Sequence, residues 1–266
     1  MSTRMVCLFS KKKKSQNMER LKFDENEIPY GILSQFGLTQ EMIEDLPQGP
    51  YSDILLGRRS PVLPVSITDE EGNIVKARTR FRLKGGEGGT VDVLFYPRLL
   101  RCELDCYSKQ EQQALLSGKA IVSHFPEDPS VKCFVQIDPD TNQVIYVPTP
   151  VIGRNLSCMM DAFRLSAEQI RAIQAGDPVS FSEEDETVTA GIDLTEKSGI
   201  RLIVGSREQW LSERGGNEMD RFSFGIFGCW VKDSAGNLDY FAEEDYTPEI
   251  LQEFQNTIAR NSNLKR

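Results

Sequence analysis

The feature that most limits what this chain can fold into is an internal repeat. Residues 108–122 read SKQEQQALLSGKAIV, and residues 166–180 read SAEQIRAIQAGDPVS. A shift of 58 residues places Ser108 on Ser166, Ala114 on Ala172, Leu115 on Ile173, Gly118 on Gly176 and Ile121 on Val179. Both copies carry the same physical plan. A serine suited to capping a helix opens each one. Acidic or glutamine residues follow in the first turn, as a capping box requires. About two helical turns later a glycine stands where a helix stops, and an apolar strand begins.

The rest of the unit also recurs. In one copy Val131–Asp138 is followed by the turn PDTN and then by Gln143–Val147; in the other, Thr187–Leu194 is followed by TEKSG and Ile200–Val204. Strand, polar turn and strand make a hairpin signal. Ile137-Asp138 and Ile192-Asp193 stand at the same place before the two turns. A looser copy precedes these. Leu38–Leu46 starts a helix behind the cap Thr39, Pro47 and Pro50 break it, and YSDILLG leads to Gly57. Strands are then expected at Pro61–Ile67, Ile74–Leu83 and Val91–Tyr96, separated by the turn-rich DEEGN and KGGEGG.

The C-terminal part differs. Phe222–Trp230 (FSFGIFGCW) reads as a strand in which Gly225 and Gly228 mark bulges or a close backbone approach. The turn at 233–237 pairs it with Leu238–Phe241, and Thr247-Pro248 opens a helix. Ile250, Leu251, Phe254 and Ile258 lie on one stripe of that helix, and the tail NSNLKR is expected to fray.

Sequential strands joined by short turns form antiparallel meanders. Helix followed by sheet, in blocks, predicts an α+β fold of repeated helix plus antiparallel β-meander units. The divisions expected are a disordered basic extension at 1–20, a first helix/β unit at 21–100, a second at 101–153, a third at 154–213, and a β-hairpin with helix at 214–266. A hydrophobic content of 39% is low for one globule and suits small units with much surface.

No apolar run approaches the roughly 18–20 residues that span a bilayer, so no membrane association is expected. The apolar stretch Met5–Phe9 precedes the basic run Lys11–Lys14, the reverse of a signal peptide. That run reads as a solvated tail, with an electrostatic tether as the alternative. The six cysteines, Cys7, Cys102, Cys106, Cys133, Cys158 and Cys229, offer one close pair, where zinc sites usually need two. A reducing cytoplasmic setting with free thiols, and no metal or cofactor, is the expectation.

No residue pattern points to catalysis. His124 is the sole histidine, and its neighbour Ser123 would point to the other face of a strand. The loop Lys84–Gly89 resembles a phosphate cradle but precedes a strand, whereas a phosphate-binding loop leads into a helix. The acidic run Ser182–Glu186 lacks the spacing of a calcium loop and falls between two strands.

One segment stands apart. In KARTRFRLK, Lys76, Arg78, Arg80, Arg82 and Lys84 occupy one face of a strand, while Phe81 and Leu83 point to the core. Arg58 and Arg59 could extend this row. The full chain carries a net charge of −9, so the row is a local exception. Like charges along a strand repel. Either Asp69, Glu70, Glu71 and Asp92 neutralise them, or the row binds phosphates or an acidic partner; arginine geometry suits both ligands. With Phe81 facing inward, the row has no stacking platform for single-stranded nucleic acid.

The segments NEIPYGILSQFGLTQEMIEDL, LLGRRSPVLPVSITDEEGN, TRFRL, VDVLFYP, FVQIDPDTNQVIYVPTPVIGRNL and NEMDRFSFGIFGCWVKDSAGNLDY resemble an uncharacterised domain family. That family is found on conjugative transposons and related mobile elements of Bacteroides-type bacteria. The resemblance spans about residues 21–245 and leaves residues 1–20 as an extension. It implies two adjoining domains of unknown function in a cytoplasmic accessory protein, encoded near DNA-processing genes such as those of topoisomerases. It supplies no catalytic residues. The expected function is a non-catalytic interaction module with protein partners in a conjugation or DNA-processing system. A nucleic-acid-associated factor using the basic strand is the alternative, and an unrecognised enzyme the third reading. Nucleic acid is not favoured, because non-specific binding needs a net basic surface.

Overall fold

The computed structural model describes residues 21–68, 71–212 and 219–263. The expected basic extension with Lys11–Lys14, residues Cys7, Asp69 and Glu70, and the end of the tail NSNLKR lie outside the described residues. Of the described residues, those from Leu99 to Ser212 form one compact unit, and residues 21–98 together with 219–263 form another.

Among the described residues there are four three-stranded antiparallel sheets, each with its strands in chain order. They are β1 (Leu63–Thr68), β2 (Ile74–Gly85) and β3 (Val91–Pro97); β4 (Ile121–Phe125), β5 (Asp128–Ile137) and β6 (Val144–Pro148); β7 (Val179–Glu183), β8 (Glu186–Ile192) and β9 (Ile200–Val204); and β10 (Phe222–Phe224), β11 (Gly228–Lys232) and β12 (Leu238–Ala242). The helices are α1 (Tyr30–Leu33), α2 (Gln40–Glu44), α3 (Gln48–Leu55), α4 (Lys109–Leu116), α5 (Thr149–Phe163), α6 (Ala167–Gln174), α7 (Arg207–Ser212) and α8 (Pro248–Asn263). The α+β class built of repeated helix-plus-meander units is therefore the architecture.

In the unit from Leu99 to Ser212 the two clear copies behave as their sequences dictate. Ser108 caps α4 and Ser166 caps α6, each in a reciprocal box with Glu111 or Gln169. Gly118 and Gly176 follow with φ of 78° and 82°, the left-handed region that favours glycine. The recurring aspartate has a physical cause. Asp138 accepts the N–H of Asp140, and Asp193 that of Thr195, so each carboxylate closes its own turn. Asp233 does the same with Ala235 in the last sheet. The copies pack on one another. Lys119 and Asp177, equivalent under the 58-residue shift, are 3.1 Å apart. The buried Gln136 carboxamide donates to Gly118 O at 2.9 Å and accepts from Leu194 N at 2.8 Å.

Helix α5 was not anticipated. Ile152, Leu156 and Met159 recur along one face and are buried among Phe134, Ile173, Ala190 and Ile200. The helix runs through position 153, where the repeat pattern alone places the end of a unit.

The other unit corrects two expectations. Pro47 does end the first helical segment, but Pro50 does not break a helix; it sits in the first turn of α3, where a missing N–H costs nothing. Phe222–Trp230 is not one strand. The chain turns at Gly225–Phe227 and forms β10 and β11 on either side. The close approach expected at the glycines is present: a Cβ on Gly225 would collide with the Asp45 carboxylate, and one on Gly228 with Phe241 O. The core joins sequence-distant parts. Leu33, Leu38, Ile43, Ile54, Leu63, Phe81 and Leu83 pack with Trp230 and Leu238, and Trp230 Nε1 donates to Met42 O at 2.9 Å.

Candidate functional site

The alternation expected in KARTRFRLK is realised over its second half. Thr79, Phe81 and Leu83 are buried, while Arg78 and Arg80 are half-buried and Arg82 and Lys84 exposed. Phe81 and Leu83 anchor β2 in the core, so the opposite face is held by packing. At the start of β2 both faces are open: Ile74, Val75, Lys76 and Ala77 are all exposed, and with β1 they form a two-stranded arm.

Pairing with β3 decides what surrounds each cation. Arg80 lies opposite Tyr96, Arg82 opposite Leu94 and Lys84 opposite Asp92. Residues directly across an antiparallel pair share a face, so Asp92, Leu94 and Tyr96 lie among the cations. Asp92, one of the acids that could neutralise the row, lies across from Lys84 in the β2–β3 pair. Arg59 comes to the same face by another route. Ser60 N donates to Phe81 O at 2.7 Å, which ties its segment to β2. The Arg59 guanidinium then lies over the Tyr96 ring, 4.5 Å from its centre. Arg58 is turned to Asp53, with Nη1 and Oδ1 2.6 Å apart.

Arg78 has a separate task. Its Nη1 donates to Leu238 O at 2.6 Å and its Nη2 meets Asp239 Oδ1 at 2.9 Å. Arg98, a residue the sequence did not single out, continues the pattern. Its N–H donates to Arg78 O, and its Nη1 donates to Asn237 Oδ1 at 2.7 Å. The two arginines fasten the first sheet to β12 and its turn. The acid that meets Arg78 is therefore Asp239, 161 residues away, and no local spacing rule could point to it. Tyr96 was legible in principle: once β2 and β3 are paired from the loop KGGEGG, VDVLFYP puts Asp92, Leu94 and Tyr96 opposite the cations.

The other sequence candidates lead elsewhere. His124 is exposed on β4. In the glycine loop, a Cβ on Gly86 would lie 2.8 Å from Asp92 Oδ2, so a carboxylate packs against the loop backbone at that position. Glu184 and Asp185 have positive φ and make a two-residue hairpin turn. Cys102, Cys106, Cys133, Cys158 and Cys229 are free thiols. Among the described residues no group of three or more His, Cys, Asp or Glu could hold a metal ion, and no helix is long and apolar enough to cross a membrane. A groove of about 800 Å³ runs between residues 44–48, β10 and α8. Its two arginines are engaged, Arg221 with Glu249 and Arg260 with Glu253.

Residues 23–107 match the family model described as Protein of unknown function (DUF4099). That segment contains the first sheet and the whole of the basic face. Neither the curated proteins nor the solved structures gave a match to this chain.

Proposed function

We propose that the chain is a non-catalytic interaction module that binds an acidic protein partner through the even-numbered face of β2. The observation that carries the reading is the contrast within one strand. Phe81 and Leu83 are fixed in the core, while Arg82 and Lys84 stand exposed on the other side, with Arg80 and Arg59 beside them. A charged row held by a rigid strand loses little freedom when it binds. Guanidinium groups match carboxylates in geometry. The resemblance noted in the sequence suggests the setting: an accessory of a conjugative transposon or related mobile element, whose partner belongs to a conjugation or DNA-processing system. The cytoplasm is the compartment that goes with that setting.

Nucleic acid is the second reading, favoured by the arginine content of the row. Against it, the aromatic ring that β3 places on the face, Tyr96, is already covered by Arg59, so among the described residues of the face no ring is open to stack on a base.

Titration by fluorescence anisotropy at low salt tests the proposal, using polyglutamate and a short DNA duplex as probes. Polyglutamate should bind with an affinity that falls as salt rises, and the double variant Arg82→Glu/Lys84→Glu should lose that binding. Failure of polyglutamate to bind, or equal binding by the reversed variant, would sink the reading. Preference for the duplex would transfer it to nucleic acid.

A further inference from the structure

We infer that the outer edge of β3 is a docking slot for an extended protein segment in which glutamates alternate with apolar residues, taken up as a fourth strand. This rests on the proposal that the basic face binds an acidic protein and specifies how it does so.

The backbone directions follow from two hydrogen bonds at the ends of the β2–β3 pair. Arg98 N donates to Arg78 O at one end, and Gly86 N to Thr90 O at the other, both at 2.8 Å. Hydrogen-bonded pairs alternate along an antiparallel ladder. The pairs between these ends are therefore Arg80 with Tyr96, Arg82 with Leu94 and Lys84 with Asp92. Asp92, Leu94 and Tyr96 turn their peptide groups towards β2. Val93 and Phe95 turn theirs outward, along the sheet edge. Among the described residues none supplies a backbone partner on that side. Pro97, which has no N–H, marks the end of the usable edge.

A strand added there would find a different surface on each face. On the core side lie Val93 and Phe95, both half-buried, with Phe36 against Phe95 at 4.4 Å between ring centres. Apolar side chains of the incoming segment would extend that row. On the other side lie Arg59, Arg80, Arg82 and Lys84, with Asp92 across from Lys84. The incoming backbone would run about 10 Å from β2, twice the spacing between strands. An arginine and a glutamate, both extended over Leu94, close that distance together. Shorter aspartates would reach less well. Period-2 alternation is the only pattern that serves both faces at once, and strand addition at an open edge supplies the main-chain bonds.

The test uses the full chain and a fluorescein-labelled peptide of alternating glutamate and valine. Two further peptides carry N-methyl groups on alternate residues, one set on the glutamates and the other on the valines. Only one set can face β3, so one methylated peptide should bind about tenfold more weakly or worse, and the other should bind as the parent does. Amide exchange at Val93 and Phe95 should slow when the parent peptide is bound, and Arg82→Glu should weaken binding. If both methylated peptides bind like the parent, the inference falls while the acidic-partner reading stands. If neither this peptide nor polyglutamate binds, that reading falls as well. A chain that runs as a dimer with the Val93 amide already protected would also overturn the inference, because a second copy would then fill the slot.

Discussion

The carboxylate of Asp45 accepts the hydroxyl proton of Tyr240 at 2.6 Å, across 195 positions of sequence. The same buried carboxylate accepts from Ile226 N at 2.6 Å and Phe227 N at 3.0 Å. It holds the turn between β10 and β11 and ties it to α2 and β12. Asp45→Ala would leave these donors without their acceptor. The expected loss is about 3 kcal/mol of unfolding free energy, read from denaturant titration. Gly225→Ala pushes a Cβ into the carboxylate and should cost about 2 kcal/mol. An Asp45→Ala chain within about 0.5 kcal/mol of the parent would mean that water replaces the carboxylate at no cost.

The segment that matches the family model, residues 23–107, is expected not to fold by itself. Trp230 is fully buried in the same core as Phe81 and Leu83 and donates to Met42 O. A chain stopped after residue 215 should therefore lose slow amide exchange in β1–β3, while the unit from Leu99 to Ser212 keeps its own. Trp230→Ala in the full chain should cost about 3–5 kcal/mol. Protected β2 amides in the shortened chain would refute this.

What the sequence showed and what it hid divide along range. The repeat was legible because Ser108, Ser166, Gly118 and Gly176 act through their immediate neighbours, and the inward face of β2 because Phe81 and Leu83 obey a period of two. The aspartate that opens each turn was visible as a recurrence, and its cause is equally local. Contacts made by folding distant segments together were not legible. Asp45 looked like one more acid in a helical turn, and nothing near it in the chain announces Tyr240. The separate first strand of the fourth sheet, β10, was hidden by its own glycines. Gly225 and Gly228 signal either bulges or a close approach, and the partner that lies against Gly225, Asp45, is in another segment. For the same reason the basic row could be read as a row, while the split between fastened and presented cations could not.

That split is measurable. Arg78 serves the fold through Leu238 O and Asp239, so Arg78→Ala should lower stability by about 1–2 kcal/mol. Arg82 is exposed, and Arg82→Ala should change stability by no more than about 0.5 kcal/mol. Thermal melts of the two variants, run beside the polyglutamate titration, should show opposite profiles. Arg78→Ala should melt earlier and still bind, whereas Arg82→Ala should melt as the parent does and bind less. If both lose stability equally, the exposed half of the row also belongs to the scaffold, and the proposed binding face loses its basis.

Alkaline pH should unfold the unit of residues 21–98 and 219–263 through its buried thiol and half-buried phenols. Burial pushes the Cys229 thiol up to about 11. It also pushes the Tyr246 hydroxyl up to about 12, with Cys229 and Glu243 adding to the rise. Burial raises Tyr240 too, and its hydrogen bond to Asp45 adds to that. In the unfolded chain these groups lose their protons at ordinary values near pH 9–10. Above that point the folded state binds more protons than the unfolded state, so stability falls as pH rises. The contribution is complete below about pH 8.5 and is lost progressively through pH 11–12, at no more than about 1.4 kcal/mol per pH unit for each group. Unfolding midpoints measured from pH 7 to pH 11 should be flat at first and then decline. Tyr240→Phe removes one of the titrating groups, so its decline should be shallower even though its midpoint at pH 7 is lower. A Tyr240→Phe chain whose alkaline slope matches the parent would show that Tyr240 is not among the groups that resist losing a proton.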